Sequence, residues 1–166
     1  MADRKNNDRK SRQNDDFDFV EPTEQRKHRR VGSSAFDGIP VVLKPAPPFF
    51  GEPVPGKMVD LSGGGTAVIL KDAIPVNSKM KIWIAFPDRG DLTCLVSVRR
   101  VSPAEGGYLT GLQFLDIPED MAAEFAQMSA DYDLCEKRIA MDETPSCGPC
   151  AFYPLCDKTQ KMKKAA

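Results

Sequence analysis

The sequence predicts a mainly β protein: a small antiparallel β-barrel of six to seven strands, followed by one C-terminal α-helix. Three observations predict it. Between Ala35 and Asp116, short β-rich or alternating segments follow one another, divided by Gly, Pro and Asp turns. Beyond Pro118 the apolar residues recur with a helical period instead. The chain has 166 residues, which suits one compact domain with appendages, since domains commonly run roughly 100–150 residues.

Taken in order, residues 1–20 read as a disordered tail. The first sixteen carry no aromatic and almost no apolar side chain, so they bury too little surface to offset the entropy of ordering. Phe17, Phe19 and Val20 are the first candidates to touch a folded body. The basic run Arg26-Lys27-His28-Arg29-Arg30 follows and leads directly into Val31. Val41-Val42-Leu43 is a short apolar strand closed by Pro45, Pro47 and Pro48. Lys57 to Leu61 is a second strand, running into Ser62 and three glycines, and Thr66 to Leu70 is a third. Met80, Ile82, Ile84 and Phe86 alternate with Lys81, Trp83 and Ala85. Leu92, Cys94, Val96 and Val98 alternate with Thr93, Leu95 and Ser97. A period of two marks each of these as a half-buried strand. Tyr108 to Leu115 is the last strand. Met121, Phe125, Met128, Tyr132, Cys135 and Ile139 then recur every three or four residues and form one apolar helix face. Pro118 suits the first turn, and Glu119 and Asp120 complement the positive end of the helix dipole. The main domain is therefore expected over residues 21–135. Residues 136–166 form a Cys-rich extension with a Lys-rich tail.

Lys and Arg number 23 and Asp and Glu 24, for a net charge of -1. That balance argues against DNA or RNA as a partner. It conceals local asymmetry. Residues 1–31 hold 9 basic and 7 acidic groups (+2), while residues 116–143 hold 2 and 9 (-7). No apolar run approaches the roughly 20 residues of a membrane-spanning helix, and the charged N-terminus has no apolar core of a secretory signal. The expected location is cytoplasmic, where cysteines serve as thiols or metal ligands rather than as disulfides.

Two short patterns carry ligand chemistry: Arg26-x-x-x-Arg30 before the first strand, and Asp60-x-Ser62-x-x-Gly65 at a strand end. Alone, the first reads as a solvated basic run and the second as a turn. Together, in this order, they resemble the PilZ domain, a bacterial receptor for cyclic di-GMP. The motifs read RKHRR at 26–30 and DLSGGG at 60–65. The similarity continues in LTCLVSVRRV at 92–101 and YLTGLQFLDI at 108–117, and spans roughly residues 24–135. The resemblance implies a split-barrel fold and a ligand site made of Arg26, Arg30, Asp60, Ser62 and Gly65. The chemistry of these residues agrees. Arg offers a planar fork of donors to phosphate or to guanine O6 and N7, and its plane stacks on a base. A carboxylate accepts from guanine N–H groups, a hydroxyl donates or accepts, and glycines let a flat base approach. His28, the only His, reads as a surface residue of the basic arm.

Cys94 lies on the apolar face of a strand and reads as a small buried hydrophobe. Cys135, Cys147, Cys150 and Cys156 form C-x11-C-x2-C-x5-C, the donor set of a tetrahedral thiolate site for zinc or an iron–sulfur cluster. Free or reversibly oxidised thiols are the competing reading. CGPC at 147–150 equals the thioredoxin tetrapeptide but follows a helix at the chain end, not the βαβ setting that chemistry needs. No nucleophile–base–acid set is present, so no enzyme is expected. The expected function is a cyclic di-GMP effector whose arm orders on the ligand and which regulates an unknown downstream protein, with motility, adhesion or polysaccharide output as the family's suggestion. The alternatives are a nucleotide-independent adaptor of the same fold, and a redox or metal sensor using the C-terminal cysteines.

Overall fold

The computed structural model describes residues 39–87, 90–145 and 147–156. Six strands appear among them: β1 (Pro40–Pro45), β2 (Val54–Ser62), β3 (Gly65–Leu70), β4 (Lys79–Phe86), β5 (Gly90–Ala104) and β6 (Gly107–Phe114). They close into an antiparallel barrel in the order β1-β2-β3-β6-β5-β4, with β1 pairing both β2 and β4. Closure leaves no unpaired edge among these strands.

The alternating segments behave as their pattern requires. On β4, Met80, Ile82, Ile84 and Phe86 point inward, while Lys79 and Lys81 are exposed. Leu43, Val68, Leu70, Ile82, Ile84, Val96 and Val98 are all fully buried and fill the barrel. Cys94 joins them, and burial, with the Asp116 charge as a smaller cause, pushes its thiol up to about 12.

Strand β5 runs six residues past Val98 and carries a bulge there. The register slips between Val98 and Arg100, as it does on β2 between Met58 and Asp60. A bulge inserts one residue and reverses the inward–outward phase beyond it. Met58 faces the core opposite Val68. Under strict alternation from Met58, Asp60 would face the core too. Instead Asp60 sits opposite Ala67 on the outer face, and Leu61 turns inward at 1% exposure. On β5 the same slip puts Val98 inward opposite Leu112 and Arg100 outward opposite Gly111.

Helix α1 (Glu119–Ala140) covers one end of the barrel. Pro118 stands one residue ahead of the first turn, as the N-cap with extended ψ, and its carbonyl accepts the Ala122 N–H. Only the first half of the apolar stripe reaches the barrel core. Phe125 and Met128 are buried, and Phe125 meets Phe86 and Phe114 at ring-centroid distances of 5.6 and 6.2 Å. The Ser129 hydroxyl lies 2.9 Å from the Phe125 carbonyl and 3.3 Å from that of Leu61, joining the helix to the end of β2.

The helix ends in a Schellman turn. Glu143 N–H bonds the Arg138 carbonyl and Asp142 N–H that of Ile139, with Asp142 in the left-handed region at φ 60°. The chain then returns along α1. Phe152, 2% exposed, packs edge-on against Tyr132 at 5.0 Å, and Ala151 N–H donates to Asp131 Oδ2 at 2.7 Å. A one-turn 3-10 helix, Tyr153–Leu155, follows. Among the described residues no helix is long and apolar enough to cross a membrane.

Candidate functional site

Asp60, Ser62 and Gly65 come together on one face of the β2–β3 hairpin, and each is held by the backbone. Asp60 Oδ1 accepts the Ala67 N–H at 2.6 Å, directly across from it. The Asp60 carbonyl accepts the Thr66 hydroxyl at 2.6 Å. Ser62, 3% exposed, donates its hydroxyl to the Gly65 carbonyl at 3.1 Å and so closes the turn from within. The Gly64 carbonyl in that turn accepts the Phe114 N–H at 3.1 Å, anchoring the hairpin to β6.

Gly65 has a reason that the sequence did not disclose. A Cβ there would stand 2.1 Å from the Leu112 carbonyl oxygen of the neighbouring strand. The glycine is therefore required by β3–β6 pairing, whatever approaches from outside. Gly111 is constrained as well: a Cβ there would meet the Arg100 side chain at 2.8 Å. The Arg100 side chain thus lies across Gly111.

These constraints build a defined surface. Asp60, Ala67, Gly111 and Arg100 occupy one outward row across β2, β3, β6 and β5. Three strand spacings separate its ends, about 14 Å between Cα atoms. A carboxylate and a guanidinium flank a floor of two small residues. Both ends owe their outward aim to bulges, which is why Arg100 escaped a reading based on strict alternation. The doublet Arg99-Arg100 inside an otherwise alternating strand was the available signal. Arg26 and Arg30 lie outside the described residues.

The cysteines occupy a second place. Cys135, Cys147, Cys150 and Cys156 all line one cavity of about 390 Å³ between α1 and the returning segment, while Cys94 is inside the barrel. All four are free thiols of intermediate exposure. Burial pushes the Cys150 thiol up. A backbone N–H of Phe152 opposes that, and the Asp131 carboxylate and the Cys135 and Cys156 thiols add to it. Among the described residues, no group of three or more His, Cys, Asp or Glu side chains is placed to hold a metal ion, so the arrangement does not itself support the zinc or iron–sulfur site expected of Cys135, Cys147, Cys150 and Cys156.

Residues 24–131 match the PilZ domain, nearly two thirds of the chain. The chain belongs to the PilZ domain family. The PilZ match reaches from just before the Arg26–Arg30 pair to the middle of α1 and includes the whole barrel. Solved structures share the fold. The inhibitor of motility MotI/DgrA of Bacillus subtilis superposes with a TM-score of 0.57 at 19% identity, covering 69% of this chain and 54% of that one. YcgR of Escherichia coli in complex with c-di-GMP gives 0.54 at 12% identity, covering 71% and 50%. The MrkH–c-di-GMP complex of K. pneumonia gives 0.53 at 20%, covering 70% and 55%. The PilZ chain described here thus spans about half the length of these proteins. No curated relative matches it significantly.

Proposed function

We propose that this PilZ protein is a receptor for cyclic di-GMP, binding the dinucleotide on the outer face that carries Asp60, Ser62 and Gly65. One observation carries the reading. The Asp60-x-Ser62-x-x-Gly65 motif folds into a hairpin closed by its own side chains, and its bulge turns Asp60 to the outer face in one row with the small residues Ala67 and Gly111. Membership of a family of binding effectors and the fold shared with two c-di-GMP complexes support it.

In this reading Asp60 accepts from the N–H groups of a guanine edge. Ala67 and Gly111 put no long side chain of their own into the row, and Arg100, lying across Gly111, offers its guanidinium to a phosphate or to a base face. Arg26 and Arg30 supply the second side of the site as charge-assisted donors, and their capture of the ligand is the switch that regulates a downstream protein. The role is binding rather than catalysis, in the cytoplasm where such a messenger acts. Isothermal titration of the full chain with cyclic di-GMP tests the proposal. Saturable binding that weakens at least tenfold in Arg30→Ala supports it. A folded wild type that shows no heat of binding refutes it.

A further inference from the structure

We infer that the C-terminal segment is a tetrathiolate metal knuckle, in which Cys135, Cys147, Cys150 and Cys156 ligate one thiophilic centre in the cavity beside α1. The inference is independent of the nucleotide reading. It stands first on convergence: four of the five cysteines come from two separate elements and line one cavity, and the fifth is walled inside the barrel. Chance placement on a surface segment gives no reason for all four to face one space.

It stands second on how the segment is held. Residues 147–156 contain one three-residue 3-10 turn and a single fully buried side chain, Phe152. Two fixtures dock it: the Phe152 ring against Tyr132, and the Ala151 N–H on Asp131 Oδ2. The other oxygen of Asp131 accepts from Gln127 Nε2 at 2.7 Å, so this carboxylate is an anchor and not a ligand. The anchor at Asp131, one helical turn from Cys135, fixes Ala151 and with it the adjacent Cys150. The Gly148–Pro149 turn carries Cys147 back toward the same space, and the 3-10 turn does the same for Cys156.

The remaining step is contraction. A tetrahedron of sulfurs about 2.3 Å from zinc has its sulfurs about 3.8 Å apart. The thiols are not yet at ligand spacing, and drawing them together is the work a metal does when its binding is coupled to folding. Each thiol loses its proton to solvent as it binds. Four thiolates on a divalent ion leave a net charge of -2, and Arg138 on the cavity wall offsets part of it. Zinc and an iron–sulfur cluster share this ligand chemistry.

The test is metal analysis of the full chain, purified without oxygen from cells supplied with zinc and iron, together with its absorbance spectrum and a thiol titration. The expected result is one zinc per chain without colour, or cluster iron with sulfide and visible absorption. Either comes with four thiols protected until a chelator is added. Refilling the stripped protein with cobalt should give the charge-transfer bands of a tetrahedral cobalt thiolate. The double variant Cys147→Ser, Cys150→Ser should lose the metal, and Cys94→Ala should keep it. Substoichiometric metal in the wild type with four freely reacting thiols overturns the inference. So does a disulfide within the set, or full metal content in the double variant.

Discussion

Asp60 has one duty that the structure shows and a second that the proposed function assigns it, and two substitutions separate them. Its Oδ1 holds the Ala67 N–H at 2.6 Å across the bulge, in a partly buried setting. A hydrogen bond to a charged group contributes about 1.5–3 kcal/mol, and a buried donor left alone costs more than a bond merely exchanged for water. Asp60→Ala should therefore cost about 2 kcal/mol, which for a folded body of this size lowers Tm by roughly 6–10 °C. Asp60→Asn keeps a carbonyl oxygen in the Oδ1 position and should cost less than about 1 kcal/mol. The ligand sees the opposite ranking of relief. Asn must keep its oxygen on Ala67, so it presents an amide N–H₂ where guanine also presents N–H groups. Two donors then face each other, and the loss of affinity for cyclic di-GMP should be at least about tenfold, or 1.4 kcal/mol. Thermal melts and calorimetric titration of both variants read the two duties separately. An Asn variant that binds like wild type refutes the assignment of the carboxylate to the base. An Ala variant with unchanged Tm refutes the structural duty.

Three further outcomes follow from the same geometry. Gly65→Ala brings a Cβ to 2.1 Å from the Leu112 carbonyl oxygen, so β3 and β6 must part, and urea denaturation should show a loss of about 2 kcal/mol or more; a loss below about 0.5 kcal/mol contradicts the close approach. Asp142→Gly relieves a left-handed residue at φ 60° in the Schellman turn and should raise stability by about 1 kcal/mol, and a destabilised variant would contradict the cap. The third concerns Cys94, whose ordinary pKa of 9.0 is pushed up to about 12 in the fold. Between those values the unfolded chain has released a proton that the folded one keeps, so stability is complete below pH 9 and falls as pH rises, by up to about 1.4 kcal/mol per pH unit. Urea melts at pH 8, 9 and 10 should show a steeper alkaline loss in wild type than in Cys94→Ala; parallel slopes would contradict the burial argument.

What was legible in the sequence was legible through period. β4, β5 and α1 announce themselves because residues that alternate by two or recur by three and four must bury one face, while the other strands show as short apolar or β-rich runs between turn residues. The Asp60–Ser62–Gly65 motif was legible as a turn with ligand chemistry. The bulges were not, because one inserted residue leaves composition untouched and only reverses phase. Arg100 was hidden for that reason. Gly65 was assigned to ligand approach, while the structure supplies a strand-pairing reason that depends on Leu112, a residue 47 positions away. Phe152 was also missed. Phe152 beside Tyr153 in a Cys-rich segment shows no period to say which ring is buried, and the burial of Phe152 depends on Tyr132 lying across the return of the chain.

The backbone bonds of the motif bear on how such a site gains affinity. Side chains that must be ordered when a ligand binds lose rotamer entropy, about 0.5–1.5 kcal/mol each. Asp60 and Ser62 are held by Ala67 and Gly65 whether or not a ligand is present, so their ordering is already part of folding. In the proposed receptor the barrel would contribute a pre-ordered half-site, and the arginines at 26 and 30 would contribute charge from a separate stretch of chain. On that proposal the two motifs, far apart in sequence, differ in kind because they do different work. One is short, small and locked by neighbouring strands, and suits discrimination of a base edge. The other consists of long cations, and suits capture of phosphates. α1 stiffens the first half directly, since Ser129 rests on the Leu61 carbonyl between Asp60 and Ser62. Two turns further on, the same helix carries Cys135. A metal-closed knuckle on α1 would therefore brace the element that braces the half-site, and removing the metal should loosen the helix before it touches the barrel.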